Sequence, residues 1–251
     1  MKKTIYMLVG AAVLLSFGFA DKTTWVLAKK DDVEEASKKV SAFYELKTNF
    51  SVNILHQTFI GHRTLTAHDQ SKGYLKRKGN LFHSFMLGIH SYQDDVIRFT
   101  VDTVNRTILV ADKKTGETSA DLNVETLIAQ KNAAAFKRSE ANGNLAFRID
   151  YKKDHPVEAT ELHVNNDFSI REIVIYFHNE MPVSQEENAA KAKGKAKITY
   201  SDYNMSPIFG NNEFSHKPFF TFKNTKVVKT GKYSNYTIID NRIERKQKDD
   251  Y

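Results

Sequence analysis

The sequence predicts an α+β fold, an open antiparallel half-barrel sheet with helices covering its concave face. Three observations predict it. One amphipathic helical stripe at 31–46 stands ahead of the strands, a long series of segments then carries apolar residues at every second position, and short polar turns join those segments. A hairpin-connected sheet accompanied by one such stripe has to curl over the helix to hide its apolar side.

Ahead of the helix, Lys2 and Lys3 precede an apolar run from 8 to 19 that closes on the small-residue site Gly18-Phe19-Ala20. That order is the one found in a secretory signal peptide, with cleavage after Ala20 and a mature chain starting at Asp21. The run is shorter than the roughly 20 residues a membrane span needs, which sets the retained anchor aside as the alternative. The expected location is the periplasm. The chain has no cysteine, so neither a disulfide framework nor a lipid-modified cysteine is available, and stability must come from an ordinary core. Residues 21–251 are numerous enough for a single domain with one substantial core.

In the helix, Asp31 or Asp32 can accept hydrogen bonds from the free amides of the first turn, and Glu34 and Glu35 suit its positive end. Val33, Ala36, Val40, Phe43 and Tyr44 fall on one stripe, while Lys38 and Lys39 point to solvent. A long first strand follows from 50 to 60. Segments 72–78 and 81–87 flank Gly79-Asn80, a pair that tolerates the positive backbone angles of a tight hairpin. A second hairpin is expected from 96–102 and 107–111 about a turn at 103–106. The continuous Ile108, Leu109 and Val110 suggest a strand covered on both faces.

Asn123 can cap a short helix that buries Val124, Leu127 and Ile128. Strand character returns at 145–151, 160–164, 171–178, 198–203, 219–222 and 236–239. The polar, alanine-rich stretch 180–197 reads as a loop or helical insert, and 241–251 as a polar tail.

The chain carries +7 at neutral pH, and removal of Lys2 and Lys3 leaves +5. Lysines cluster at 191–197 and basic residues at 242–248. Neither run has interleaved aromatics, and an exported protein does not meet nucleic acid, so both read as solvated surface, with an acidic partner or lipid headgroup as the other reading. None of the nine histidines forms a helical i, i+4 pair, and without cysteine no metal site is expected. Ser84, Ser91 and Ser169 lack a Gly-x-Ser-x-Gly setting. Asp94 and Asp95 are neighbours on a strand and so face opposite sides. No phosphate loop or dinucleotide fingerprint is present. Neither catalysis nor a cofactor is expected.

The segment Gly73-Tyr74-Leu75-Lys76-Arg77-Lys78-Gly79-Asn80-Leu81-Phe82 resembles the periplasmic lipoprotein carriers of the LolA type, with their Gly-x-Leu opening, basic residues and Asn-Leu-Phe. In the same order, 91–112 resembles that family's strand–turn–strand, Asn123-Val124-Glu125-Thr126-Leu127-Ile128-Ala129 its short helix, and Phe219-Phe220-Thr221-Phe222 with Val227-Val228 and Ile239-Asp240 its closing strands. The resemblance implies an unclosed antiparallel barrel plugged by helices, and a non-catalytic carrier that shields acyl chains on the way across the periplasm. It implies an acylated lipoprotein or lipid as partner, with a membrane receptor or outer-membrane protein beside it. This chain departs from the pattern in one respect that matters. The family's arginine, two residues before Asn-Leu-Phe, aligns with Lys78, and Arg77 is one position off, on the other side of a strand.

Such a carrier needs an apolar cavity and a lid. Leu55, Leu75, Phe85, Phe99, Phe147 and Ile175 are the expected lining, chosen from apolar-alternating strands, and Val33, Val40 and Phe43 the expected lid. The alternative function is an accessory subunit of an outer-membrane protein assembly, in which the helix plugs the sheet permanently.

Overall fold

A computed structural model describes residues 24–113, 132–141, 144–182, 190–224 and 226–242. The segments read above as a signal peptide (1–20) and as a short helix (123–129), and most of the polar tail, lie outside the described residues. The elements are β1 (Val26–Leu27), α1 (Lys30–Leu46), β2 (Asn49–Ile60), β3 (Asp69–Lys78), β4 (Leu81–Met86), β5 (Ile89–Gln93), β6 (Ile97–Asp102) and β7 (Thr107–Asp112). They continue with β8 (Ala133–Ala141), β9 (Asn144–Tyr151), β10 (Val157–Val164), β11 (Ile170–Pro182), β12 (Lys191–Asn204), β13 (Phe220–Lys223), β14 (Lys226–Lys229), a 3-10 turn (Gly231–Tyr233) and β15 (Thr237–Asp240).

Thirteen of these strands form one open sheet in the order β1-β8-β9-β10-β11-β12-β2-β3-β4-β5-β6-β7-β15, and β13 pairs with β14 alone. Each contact in the large sheet is antiparallel except the last, where β15 runs parallel to β7 with Ile238 opposite Ile108. The meander follows from hairpin chemistry. Gly79 (φ 60°) makes the β3–β4 turn and Gly88 (φ 81°), after Leu87 (φ 52°), the β4–β5 turn.

Side-chain alternation divides the sheet into two faces with separate cores. On one face lie Phe50, Val52, Ile54, Leu75, Phe147, Ile149, Leu162, Ile173 and Tyr200, all buried, and α1 packs its stripe of Val33, Ala36, Val40, Phe43 and Tyr44 onto them. The stripe is as expected, Lys38 and Lys39 are exposed, and the Lys29 amide donates to Asp32 Oδ2 at 3.0 Å. On the opposite face, Tyr92, Ile97, Phe99, Val101, Ile108 and Val110 form a second core, closed by Phe219 and Phe220 of the C-terminal segment. That segment leaves β12 in mid-sheet, crosses β3–β7 and ends as edge strand β15.

Several expectations need correction. Among the described residues one helix, not several, lies on the sheet. The stretch 180–197 is no loop or helical insert at its two ends. Glu180 pairs with Lys193, Met181 with Ala192 and Pro182 with Lys191, so β11 and β12 extend as a long hairpin. The signal was present as period 2: Lys191, Lys193, Lys195 and Lys197 alternate with Ala192, Gly194 and Ala196, placing lysines on one face and small residues on the other. At 108–110, Leu109 is 37% exposed while Ile108 and Val110 are fully buried, so only one face of β7 is covered. Strands β5 and β8 were not foreseen. The alanine-rich β8 favours helix by propensity and is held extended by its ladder with β9.

Candidate functional site

An apolar cavity of about 320 Å³ opens on the helix-bearing face, beside α1. Ile54 of β2, Leu75 of β3, Ser84 and Met86 of β4, Ile89 and Ser91 of β5 and Tyr200 of β12 line it. Strand register explains the set. Val52, Leu75, Ser84 and Ser91 follow one another across four strands in one row, and Ile54 sits opposite both Gly73 and Tyr200. Gly73 presents no side chain there, and a Cβ on it would lie 2.2 Å from the Phe85 carbonyl oxygen. The two serines leave the room that larger residues would fill, and no charged side chain lines the cavity. Ile54, Leu75 and Tyr200 are shared with the core under α1, so cavity and helix interface are continuous. Ile89, 41% exposed, marks the mouth.

The end of α1 is pinned to this face by polar contacts. Buried Arg77 donates through Nη1 to the Tyr44 carbonyl oxygen, one of the free acceptors of the last helical turn, and through Nε to the Gly79 carbonyl at 2.9 Å. The Ile170 amide donates to the Tyr44 hydroxyl at 3.1 Å, and the Tyr203 hydroxyl donates to the Ile170 carbonyl at 2.7 Å. That leaves the Tyr44 hydroxyl to donate to Tyr203, 2.7 Å away. Burial pushes the Tyr44 hydroxyl up to about 12 and raises that of Tyr203 as well, so both stay protonated donors.

Of the six expected lining residues, the structure brings Leu75, Phe147 and Ile175 to the helix-bearing face, and only Leu75 borders the cavity. Leu55, Phe85 and Phe99 point to the opposite face. Phe99 belongs to the second core, and Phe85 packs against His90 with ring centroids 4.5 Å apart. The reason is register: one residue of error moves a side chain to the other side of the sheet. Val33 and Val40 are fully buried and Phe43 nearly so, on the sheet beside the cavity. Missed by sequence reading were Ile54, Ser84, Met86, Ile89, Ser91 and Tyr200. Arg77 and Lys78 face opposite sides of β3, Arg77 toward α1 and Lys78 exposed.

On the opposite face the C-terminal segment is anchored by a polar cluster. Glu213 Oε1 accepts from Lys76 Nζ at 2.8 Å and from His83 Nδ1 at 2.9 Å. His83 Nε2 then faces the Tyr74 hydroxyl at 3.2 Å and His90 Nδ1 at 3.1 Å, and the His83 ring stacks on Tyr92. Burial pushes the His83 imidazole down to about 4, with Glu213 opposing, so it is neutral at pH 7. Farther along, His216 donates through Nδ1 to Asp94 Oδ2, while Asp94 Oδ1 caps the Val96 and Ile97 amides. Among the described residues no group of three or more His, Asp or Glu could hold a metal ion.

No protein-family model matches the chain, and no curated protein matches it in sequence. Solved structures do show likenesses. The chain is similar to the LolA superfamily protein NE2245 of Nitrosomonas europaea, at 15% identity and a TM-score of 0.27, over 73% of this chain and 97% of that one. It is similar to LprF of Mycobacterium bovis, at 11% identity and a TM-score of 0.32, over 70% of this chain and 95% of that one. A DUF1329 family protein of Desulfovibrio piger aligns at 10% identity and a TM-score of 0.30, over 74% of this chain and 98% of that one. Likenesses of this grade assign no function.

Proposed function

We propose that this chain is a non-catalytic periplasmic carrier that shelters an acyl chain of a lipoprotein, or another lipidic cargo, in the cavity beside α1. The observation that carries the reading is an uncharged cavity of about 320 Å³, continuous with the core beneath a single helix. Its size lies at the lower end of the range of ligand pockets, enough for part of an acyl chain. Each methylene moved from water into such a site gains about 0.8 kcal/mol, so affinity accrues without any directional group. The Gly73–Phe82 motif that resembles the lipoprotein carriers includes Leu75 of the cavity wall and Gly73 beside it. Export follows from the signal peptide read in the first twenty residues.

Release of cargo requires α1 to move, and the contacts of Arg77, Tyr44 and Tyr203 set how tightly it is held. One observation favours the accessory-subunit reading: Val33 and Val40 are fully buried, so α1 is sealed onto the sheet at its centre. Titration of the purified protein with a fluorescent fatty acid, beside native mass spectrometry of protein isolated from the periplasm, separates the two. Saturable binding or co-purified lipid is expected of the carrier. Absence of both overturns it and leaves the accessory reading.

A further inference from the structure

From 215 to 239 the chain carries Lys217, Lys223, Lys226, Lys229 and Lys232 and not one Asp or Glu. All five lysines are exposed. Elsewhere lysines are commonly neutralised: Lys30 by Glu34, Lys39 by Glu35, Lys76 by Glu213, Lys137 by Asp150, Lys193 by Glu158 and Lys197 by Glu172. None of the five in this segment pairs with a described carboxylate.

The hairpin β13–β14 gives this charge a direction. Phe220 and Phe222, opposite Lys229 and Val227, turn one side of the hairpin to the second core, with Phe220 fully buried. The other side carries Thr221 opposite Val228 and Lys223 opposite Lys226. Like charges directly across a strand pair destabilise it, and among the described residues no carboxylate pairs with either lysine. Val228, 42% exposed, sits beside them. An outward face that sets Lys223 and Lys226 beside the exposed Val228 suits a surface of phosphate headgroups with hydrocarbon beneath.

We infer that the outward face of the β13–β14 hairpin docks the protein onto an anionic phospholipid bilayer. The choice of a bilayer as partner rests on the lipid-cargo reading above. The lysines supply attraction to the headgroups, each strengthening binding about fivefold near an anionic surface, and Val228 enters the headgroup layer. The dock would hold a carrier at the membrane from which it takes or to which it gives its cargo.

The test is co-sedimentation of the full mature protein with vesicles of phosphatidylcholine alone and with a minority of phosphatidylglycerol. Binding only to the anionic vesicles, weakening as salt rises and unaffected by inorganic phosphate exchanged for chloride at constant ionic strength, is expected. Lys223→Gln with Lys226→Gln should weaken it about 25-fold at the same fivefold per lysine. Lys152→Gln with Lys153→Gln removes the same charge from the exposed β9–β10 turn and should leave it nearly unchanged. Equal loss in both variants, equal binding to neutral vesicles or no binding by the wild type overturns the inference. Displacement from vesicles by a short DNA duplex overturns it in favour of a nucleic-acid surface. Fatty-acid titration of the same samples keeps the two ideas apart: probe binding without vesicle binding sinks the dock alone, whereas loss of probe binding in the wild type sinks the cargo reading.

Discussion

Arg77, on the third strand of the sheet, donates a hydrogen bond to the main-chain carbonyl of Tyr44 in the last turn of the helix. A residue more than thirty positions away thereby satisfies an acceptor that the helix cannot satisfy itself. It also sets a positive charge at the negative end of the helix dipole.

Replacing Arg77 should loosen the helix end. Arg77→Ala leaves the Tyr44 and Gly79 carbonyls without this donor, and a loss of about 1–3 kcal/mol is expected in urea unfolding. Arg77→Lys should restore little, because a single ammonium cannot reproduce the fork that reaches two carbonyls. Lys78→Ala, at an exposed site, should change stability by less than about 0.5 kcal/mol. Faster amide exchange over 40–46 in Arg77→Ala alone would place the effect at the helix end.

The cavity can be filled or charged from its wall. Ser91→Phe projects an aromatic ring into the space between Leu75 and Met86 and should reduce fatty-acid affinity at least tenfold while the protein still folds. Met86→Asp puts a carboxylate at the same wall, where desolvation costs several kcal/mol, and should lower affinity similarly. Phe99→Asp strikes the second core on the far face, so its effect should appear as unfolding rather than as selective loss of binding. Unchanged probe affinity in both Ser91→Phe and Met86→Asp would remove this cavity as the binding site.

Stability should fall as pH drops from about 6.5 toward 4. His83 titrates at about 4 in the folded protein and at its ordinary value near 6.5 when unfolded. Between those values the unfolded chain binds the extra proton, so acid draws the equilibrium toward it, by about 3 kcal/mol at most. Lys76, Glu213, His90, Tyr74 and Tyr92 surround the ring. The Glu213 carboxyl is held below its ordinary value by Lys76 and His83 against the opposing effect of burial, which adds loss of stability at still lower pH. Thermal unfolding across this range should show a shallower slope in His83→Gln. A slope identical to wild type would exclude His83 as the cause.

Export can be checked by mass. The intact mature protein should begin at Asp21, and a form that keeps residues 1–20 in the inner membrane would point to a retained anchor.

Much of the architecture was readable because it depends on local chemistry. The spacing of Val33, Val40 and Phe43 predicts one buried helical stripe. Gly79-Asn80 predicts the β3–β4 turn, and the alternation through Ile97, Phe99 and Val101 predicts a strand buried on one side. The repeat in 191–197 was equally readable as strand, but its alanines and lysines obscured it, because those residues favour helix when nothing pairs with them.

What the sequence by itself determined was the class of the fold: which segments are amphipathic, with what period, and where the chain turns. Periodicity marks a side of an element as apolar but does not say which side of the sheet it will share with other strands. That was decided by tertiary register, which placed Leu75 with Ser84 and Ser91 and sent Phe85 and Phe99 to the other face. The same register turned Arg77 toward the helix and Lys78 to solvent. The C-terminal segment likewise carries no local mark of its path, since a parallel strand such as β15 beside β7 joins residues more than a hundred positions apart. Its place follows from the aromatic surface of Tyr92 and Phe99, which Phe219 and Phe220 cover only once the sheet exists.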